Sequence, residues 1–241
     1  MNIAIISGAS RGIGAEFSKL LDDYGLDELW LICGKNTPSH KFKTDIRIFY
    51  TDLSQKYPFE EIKKALNESQ PKIKYLVCSA GVGYNGRVEV ITEEMIENTI
   101  IINCSALSTL TKIAVDYMYD DGKIIEIASG AGFLPQPEFA TYAASKAFVI
   151  SFSRALGREL SKKKISVTAV CPGPVDTDFF SSLENVKEYK KKHLISAEKV
   201  ARGALKAAKR CKKIYTPTFS MKLVHLASKI LPTNLILKFY K

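Results

Sequence analysis

The chain has 241 residues, 46% hydrophobic and 25% charged, a globular mix that excludes a disordered or collagen-like polymer. No window offers the roughly 20 consecutive apolar residues of a membrane span, and Met1–Ser7 lacks the basic leader of a signal peptide. The net charge of +10 is lopsided, with 15 Lys or Arg against only Glu188 and Glu198 in residues 187–241, which is not the pattern of an evenly basic nucleic-acid binder.

Short apolar runs alternate with stretches of helical period, which predicts a doubly wound parallel α/β sheet of about seven strands in a single domain. Strands are expected at Asn2–Ser7, Leu29–Cys33, Ile46–Tyr50, Ile73–Cys78, Lys123–Ala128, Ile165–Val170 and Lys213–Thr216. Helices are expected at about 12–24, 57–69, 92–117, 140–162 and 196–210. Several strands are apolar throughout, as when helices cover both faces of the sheet. Only Gly34–Asp45 joins the second and third strands, and Thr37-Pro38-Ser39 within it predicts a loop or single turn. Residues 1–217 form the predicted domain and 218–241 a basic amphipathic tail. In that tail Met221, Leu223, Val224, Leu226, Ala227, Ile230 and Leu231 are read as one apolar stripe opposite Lys222, His225, Ser228 and Lys229. The cysteines at 33, 78, 104, 171 and 211 are scattered without a Cys-x-x-Cys pair. They read as free thiols of a cytoplasmic protein, with no metal cluster.

The first strand runs into Ser7-Gly8-Ala9-Ser10-Arg11-Gly12-Ile13-Gly14. Glycines at such a strand-to-helix turn let backbone N–H groups approach a pyrophosphate at the positive end of a helix. A second constellation is Ser129, Tyr142 and Lys146. Tyr142 and Lys146 are four apart in a helical stretch and share a face, while Ser129 ends an apolar strand, where open α/β sheets bind ligands. Spacing alone is weak, since Tyr119 and Lys123 repeat it across a turn.

Together these residues resemble the short-chain dehydrogenase/reductase family over roughly residues 1–216. Supporting marks are Asp52-Leu53 after the third strand, Ser79-Ala80-Gly81 after the fourth, Asn103, and Pro172-Gly173-Pro174-Val175-Asp176-Thr177. The resemblance implies a Rossmann-type domain and hydride transfer with a nicotinamide cofactor. In it Tyr142 is the general acid/base, Lys146 lowers its pKa and holds the nicotinamide ribose, Ser129 orients the substrate oxygen, and Asn103 holds a water. Cofactor contacts are expected from Gly8, Ser10, Arg11, Gly12, Ile13, Gly14, Lys35, Asn36, Asp52, Leu53, Ser79, Ala80, Gly81, Pro172, Gly173, Val175 and Thr177, besides Tyr142 and Lys146. The second strand ends in Cys33-Gly34-Lys35-Asn36 without a carboxylate, and Lys35 and Arg11 suit a 2′-phosphate. NADP(H) is therefore preferred, with NAD(H) as the alternative.

Phe133, Leu134, Phe179 and Phe180 suggest an apolar substrate pocket covered by residues 178–195, for a small or lipid-like ketone or aldehyde. Helices 92–117 and 140–162 resemble those that pair subunits, implying a homodimer or homotetramer. Two rival readings are a catalytically silent nucleotide-sensing module and a membrane- or acyl-carrier-associated 3-oxoacyl reductase, the latter served by basic residues 187–241. Three positions depart from the family pattern. Ser7 replaces threonine, Ser79 replaces an asparagine that ties the sheet together, and Glu126 replaces a frequent asparagine with a carboxylate the sequence leaves unexplained.

Overall fold

A computed structural model describes residues 1–181, 183 and 194–238. The first half comprises β1 (Asn2–Ser7), α1 (Gly12–Leu21), β2 (Glu28–Cys33), β3 (Asp45–Tyr50), α2 (Glu60–Ser69), β4 (Lys72–Cys78) and α3 (Glu93–Ile100). A π-helical segment, Ile101–Ala106, links α3 to α4 (Leu107–Val115). There follow β5 (Lys123–Ile127), α5 (Ala140–Glu159), β6 (Ser166–Val170), β7 (Val175–Asp176), α6 (Asp178–Ser181) and β8 (Ile195–Ser196). The chain continues through α7 (Ala197–Lys209), β9 (Ile214–Tyr215), α8 (Phe219–Ile230) and α9 (Thr233–Leu237).

Seven parallel strands form one sheet in the order β3-β2-β1-β4-β5-β6-β9, and β7 pairs with β8 in a small separate ladder. Strand alternation sorts β1 between two cores. Ile3 and Ile5 face a layer with Trp30, Ile62, Leu66, Leu110 and Val149, from β2, α2, α4 and α5. Ala4 and Ile6 face the opposite layer with Phe17, Leu21, Val200 and Ala204, from α1 and α7. Ile3, Ala4, Ile5 and Ile6 are all fully buried, which explains the unbroken apolar run. β3 is an exposed edge whose Arg47 lies over Trp30, 5.4 Å from the ring centroid.

The connection after β2 contains no helix, as its length predicted. It is pinned instead by Asp22, whose carboxylate accepts the backbone N–H groups of Lys43 and Thr44 at 3.1 and 2.9 Å. Asp22 titrates below the ordinary carboxylate range: although burial raises it, the bonds from Thr44, Lys43 and His40 prevail. The single helix expected over 92–117 is interrupted by the π segment. Its wider turn swings Asn103 fully into the interior, where an unbroken α-helix would set a different face.

The order reverses on either side of β1, because the chain leaves β3 to return beside β1 as β4. Crossovers on the two sides diverge there, so the carboxyl ends of β1 and β4 open a crevice.

Candidate active site

The glycine turn after β1 lies on one wall of this crevice. Gly8 (φ 68°) and Gly12 (φ 57°) occupy the left-handed region, and a Cβ on Gly8 would come within 2.8 Å of the Ala80 nitrogen. Gly14 packs the first turn of α1 against Gly8, where any side chain would collide with the Gly8 carbonyl. Arg11 occupies the N-cap position of α1 in extended conformation, and no side chain caps the helix. Its first-turn N–H groups thus remain suited to an anion, which fits a nucleotide pyrophosphate. Ser10 flanks the turn half-buried, and Ile13 packs on the α1-side core. Thr177 closes over Gly12, its methyl 3.2 Å from where a Cβ would sit.

Lys35 and Asn36 are exposed just beyond β2. Asp52 is folded onto Ser54, accepting its backbone N–H at 2.9 Å and its hydroxyl at 2.7 Å. Those bonds, with a smaller contribution from Lys35, hold the carboxylate below its ordinary range. Leu53 lines a small cavity with Ser7, Cys78, Ala80 and Ile102. The tie between β1 and β4 is made by Ser7, whose hydroxyl accepts from the backbone N–H groups of Ser79 and Ala80 at 3.1 and 3.2 Å. The link runs through the main chain at Ser79.

Beyond Gly81 the loop is clamped by Asn103. Its amide oxygen accepts from Val82 N–H at 2.9 Å, and its nitrogen donates to Val82 carbonyl at 2.8 Å and Ser145 Oγ at 2.9 Å. Ser145 in turn donates to Tyr142 carbonyl at 2.7 Å. The side chain assigned to a water by resemblance is thus engaged in joining the β4 loop to α5.

The crevice ends at Ser129, Tyr142 and Lys146, which the structure brings together. Ser129 caps the short 3-10 turn Gly130–Phe133 by accepting Ala131 N–H at 3.1 Å, and its hydroxyl is hydrogen-bonded to the Tyr142 phenol. Lys146 lies one helical turn on, its ammonium 5.7 Å from the Tyr142 ring centroid and donating to Ile127 carbonyl at 2.9 Å. Burial pushes the phenol up to about 12, opposed by the Ser129 bond, and burial pulls Lys146 down to about 8. Desolvation is the larger influence on the phenol.

Tyr142 stands among aromatic neighbours. Phe139 stacks on it at 4.3 Å, Phe179 lies at 5.6 Å, and the ring presses on Gly83 where a Cβ would collide with it. Of the four phenylalanine and leucine positions read as a pocket, Phe179 alone is seen on this ring. Phe180 and Leu134 are half-buried, and Phe133 stacks on His225 of α8 at 4.4 Å. Residues 184–193, within the segment expected to cover the substrate, lie outside the described residues. Phe139 and Gly83 were not singled out from sequence; the three-residue spacing from Phe139 to Tyr142 was the available signal.

Pro172 carbonyl accepts Gly130 N–H at 2.7 Å, joining the β6 end to the Ser129 turn. Gly173 faces Met221 of α8, and Val175 is buried in the β7–β8 ladder. Arg11 and Asp178 approach to 3.6 Å across the crevice, both largely exposed. The tail helix departs from the expected polarity. Met221, Val224, His225 and Ser228 turn inward, because the bare surfaces of Gly130 and Gly173 admit Met221 and Phe133 receives His225.

The sheet order, the uncapped glycine turn and the group of Ser129 with buried Tyr142 and Lys146 together define a nucleotide-dependent oxidoreductase scaffold. The short chain dehydrogenase family matches residues 2–188, and the chain belongs to it. It is 32% identical over 187 residues to a 3-oxoacyl-acyl-carrier-protein reductase of Rickettsia felis, covering 75% of each chain. It is 27% identical over 182 residues to an uncharacterized oxidoreductase of Staphylococcus epidermidis, covering 73% of this chain and 78% of that one. Its fold matches a short-chain dehydrogenase from Sphingobium yanoikuyae solved with NADPH, with TM-score 0.81 and 22% identity over 100% of this chain and 96% of the other.

Proposed function

We propose that the protein is an NADP(H)-dependent reductase that converts a ketone or aldehyde to an alcohol, with Tyr142 as proton donor. The observation that carries this reading is the buried Tyr142 phenol, bonded to Ser129 and one helical turn from Lys146. A bound nicotinamide supplies the hydride. Ser129 and Tyr142 hold the carbonyl oxygen by hydrogen bonds. As the carbonyl carbon gains the hydride its oxygen gains negative charge, and Tyr142 gives up its proton to that oxygen. A phenol titrating at about 12 remains protonated until then, yet is far more acidic than the alcohol formed, so the transfer runs downhill. Lys146, fixed by Ile127 carbonyl, offers its ammonium to the ribose and stabilises the phenolate left behind.

NADP(H) is favoured by the exposed cations Arg11 beside the glycine turn and Lys35 just beyond β2, which suit a 2′-phosphate, by the missing carboxylate after β2, and by the NADPH of the Sphingobium neighbour. The Rickettsia relative makes 3-oxoacyl thioesters the first carbonyls to assay. Exposed Ile100 on α3 and Phe148 on α5 support pairing of subunits through these helices in a cytoplasmic homo-oligomer. Replacing Tyr142→Phe should lower kcat about a thousandfold while leaving NADPH binding within a fewfold. An unchanged kcat, or a lower KM for NADH than for NADPH, refutes the corresponding half of the proposal.

A further inference from the structure

The inward face of α8 is accounted for by Met221 and His225; the outward face is not. Phe219, Leu223, Leu226 and Ile230 are 72%, 51%, 55% and 69% exposed. Their spacing of four, three and four residues places them in one line along a helix about 18 Å long. Lys222 and Lys229, both exposed, flank one side of this line, and no carboxylate pairs with either among the described residues. From residue 199 to 241 the sequence contains 11 Lys or Arg and no Asp or Glu.

An apolar ridge edged by unpaired lysines is the pattern of a helix lying in the plane of a lipid surface, with its ammonium groups at the headgroups. Crossing the bilayer is excluded for this element. No helix among the described residues is long and apolar enough, and Pro232 separates α8 from the five-residue α9. A second copy is a poor occupant. An antiparallel two-fold pairing would set Lys222 and Lys229 of each copy beside the same lysines of the other, with no acidic residue from 199 onward to relieve them. An anionic bilayer meets both the ridge and the charge.

We propose that the outer face of α8, through Phe219, Leu223, Leu226 and Ile230 with Lys222 and Lys229, docks the protein on an anionic lipid bilayer. Met221 seats the same helix against Gly130, beside Ser129. Docking therefore brings the bilayer to about one helix diameter from the turn carrying that serine.

The test is co-sedimentation of the full chain with phosphatidylcholine vesicles, with and without about one-third phosphatidylglycerol. Partitioning should be at least tenfold stronger onto the anionic vesicles and should weaken as salt is raised. The double variant Leu226→Ser/Ile230→Ser, and separately Lys222→Gln/Lys229→Gln, should each lose about tenfold or more. Both should keep the wild-type melting temperature. If the serine variant fails to fold, Leu226→Trp serves instead, its fluorescence shifting to the blue with anionic vesicles only. The proposal is overturned if the wild type stays in the supernatant or partitions equally onto neutral vesicles. It is also overturned if the serine variant binds as well as wild type. A fall in oligomer size for the serine variant without any vesicle binding assigns the face to a second copy instead.

Discussion

Glu126 lies fully buried near the carboxyl end of β5, and its surroundings favour one protonation state. Ser153 has one hydroxyl proton and two acceptors within reach, the Val149 carbonyl at 2.7 Å and a Glu126 carboxyl oxygen. Each bond has a proton of its own when Glu126 is protonated and donates to Ser153 while Ser153 donates to Val149; an ionised Glu126 must share the one Ser153 proton with Val149. On the other oxygen, Thr111 donates at 3.2 Å and can accept from the Cys78 thiol at 3.6 Å. Burial pushes Glu126 up to about 7 from 4.5, partly offset by the hydrogen bonds that Ser153 and Thr111 donate to the ionised carboxylate. Between those two values the folded state holds the proton more tightly than the unfolded chain, so stability falls as pH rises from about 4.5 to about 7. The loss amounts to about 3 kcal/mol. Glu126→Gln keeps the acceptor for Thr111 and a donor for Ser153 with no charge to bury. Urea unfolding of both proteins from pH 4.5 to 8 should find them equal at the acid end and the variant more stable by up to about 3 kcal/mol at pH 8. Parallel pH profiles for the two, or a variant less stable at pH 8, would show that the carboxyl is ionised in the fold.

Gly14→Ala should cost about 1–3 kcal/mol, because the methyl group meets the Gly8 carbonyl. A lowered melting temperature with a raised KM for the cofactor would register it, and unchanged values for both would contradict it. Asn103→Ala strips partners from Val82 and Ser145 and should cost about 2 kcal/mol or more, measured by chemical denaturation. Lys146, pulled from 10.5 to about 8 by burial, releases its proton earlier in the folded than in the unfolded state. Wild-type stability should thus gain an upward contribution between about pH 8 and 10.5, and Lys146→Met should remove it.

What the sequence revealed was whatever depends on local pattern. The strand positions were legible because each apolar run is short and bounded by turn residues, as at Ile3–Ile6 between Asn2 and Gly8. Ser129, Tyr142 and Lys146 were legible because several motifs in register, from the glycine turn at 8–14 to Pro172-Gly173, resemble one family, whereas the tyrosine–lysine spacing alone recurs at Tyr119 and Lys123. The π segment was not, since a single widened turn leaves the apolar period of 92–117 nearly unchanged. Glu126 was hidden for another reason. Its partners Thr111 and Ser153 come from α4 and α5, 15 and 27 residues away on either side, and no local rule joins them. The inward turn of His225 likewise depends on Phe133, a contact made across the fold.

The seating of Met221 on Gly130 and Gly173 has an evolutionary corollary. The thioether fills the space that a side chain at Gly130 would need, its sulfur 2.5 Å from that Cβ position, while at Gly173 it makes ordinary contact. A methyl group added at 130 therefore requires the Met221 side chain to turn aside, a shorter residue at 221, or a shift of the last helix. In a lineage descended from this chain, those positions are expected to drift as a group, coupling the terminal segment to a turn some ninety residues upstream.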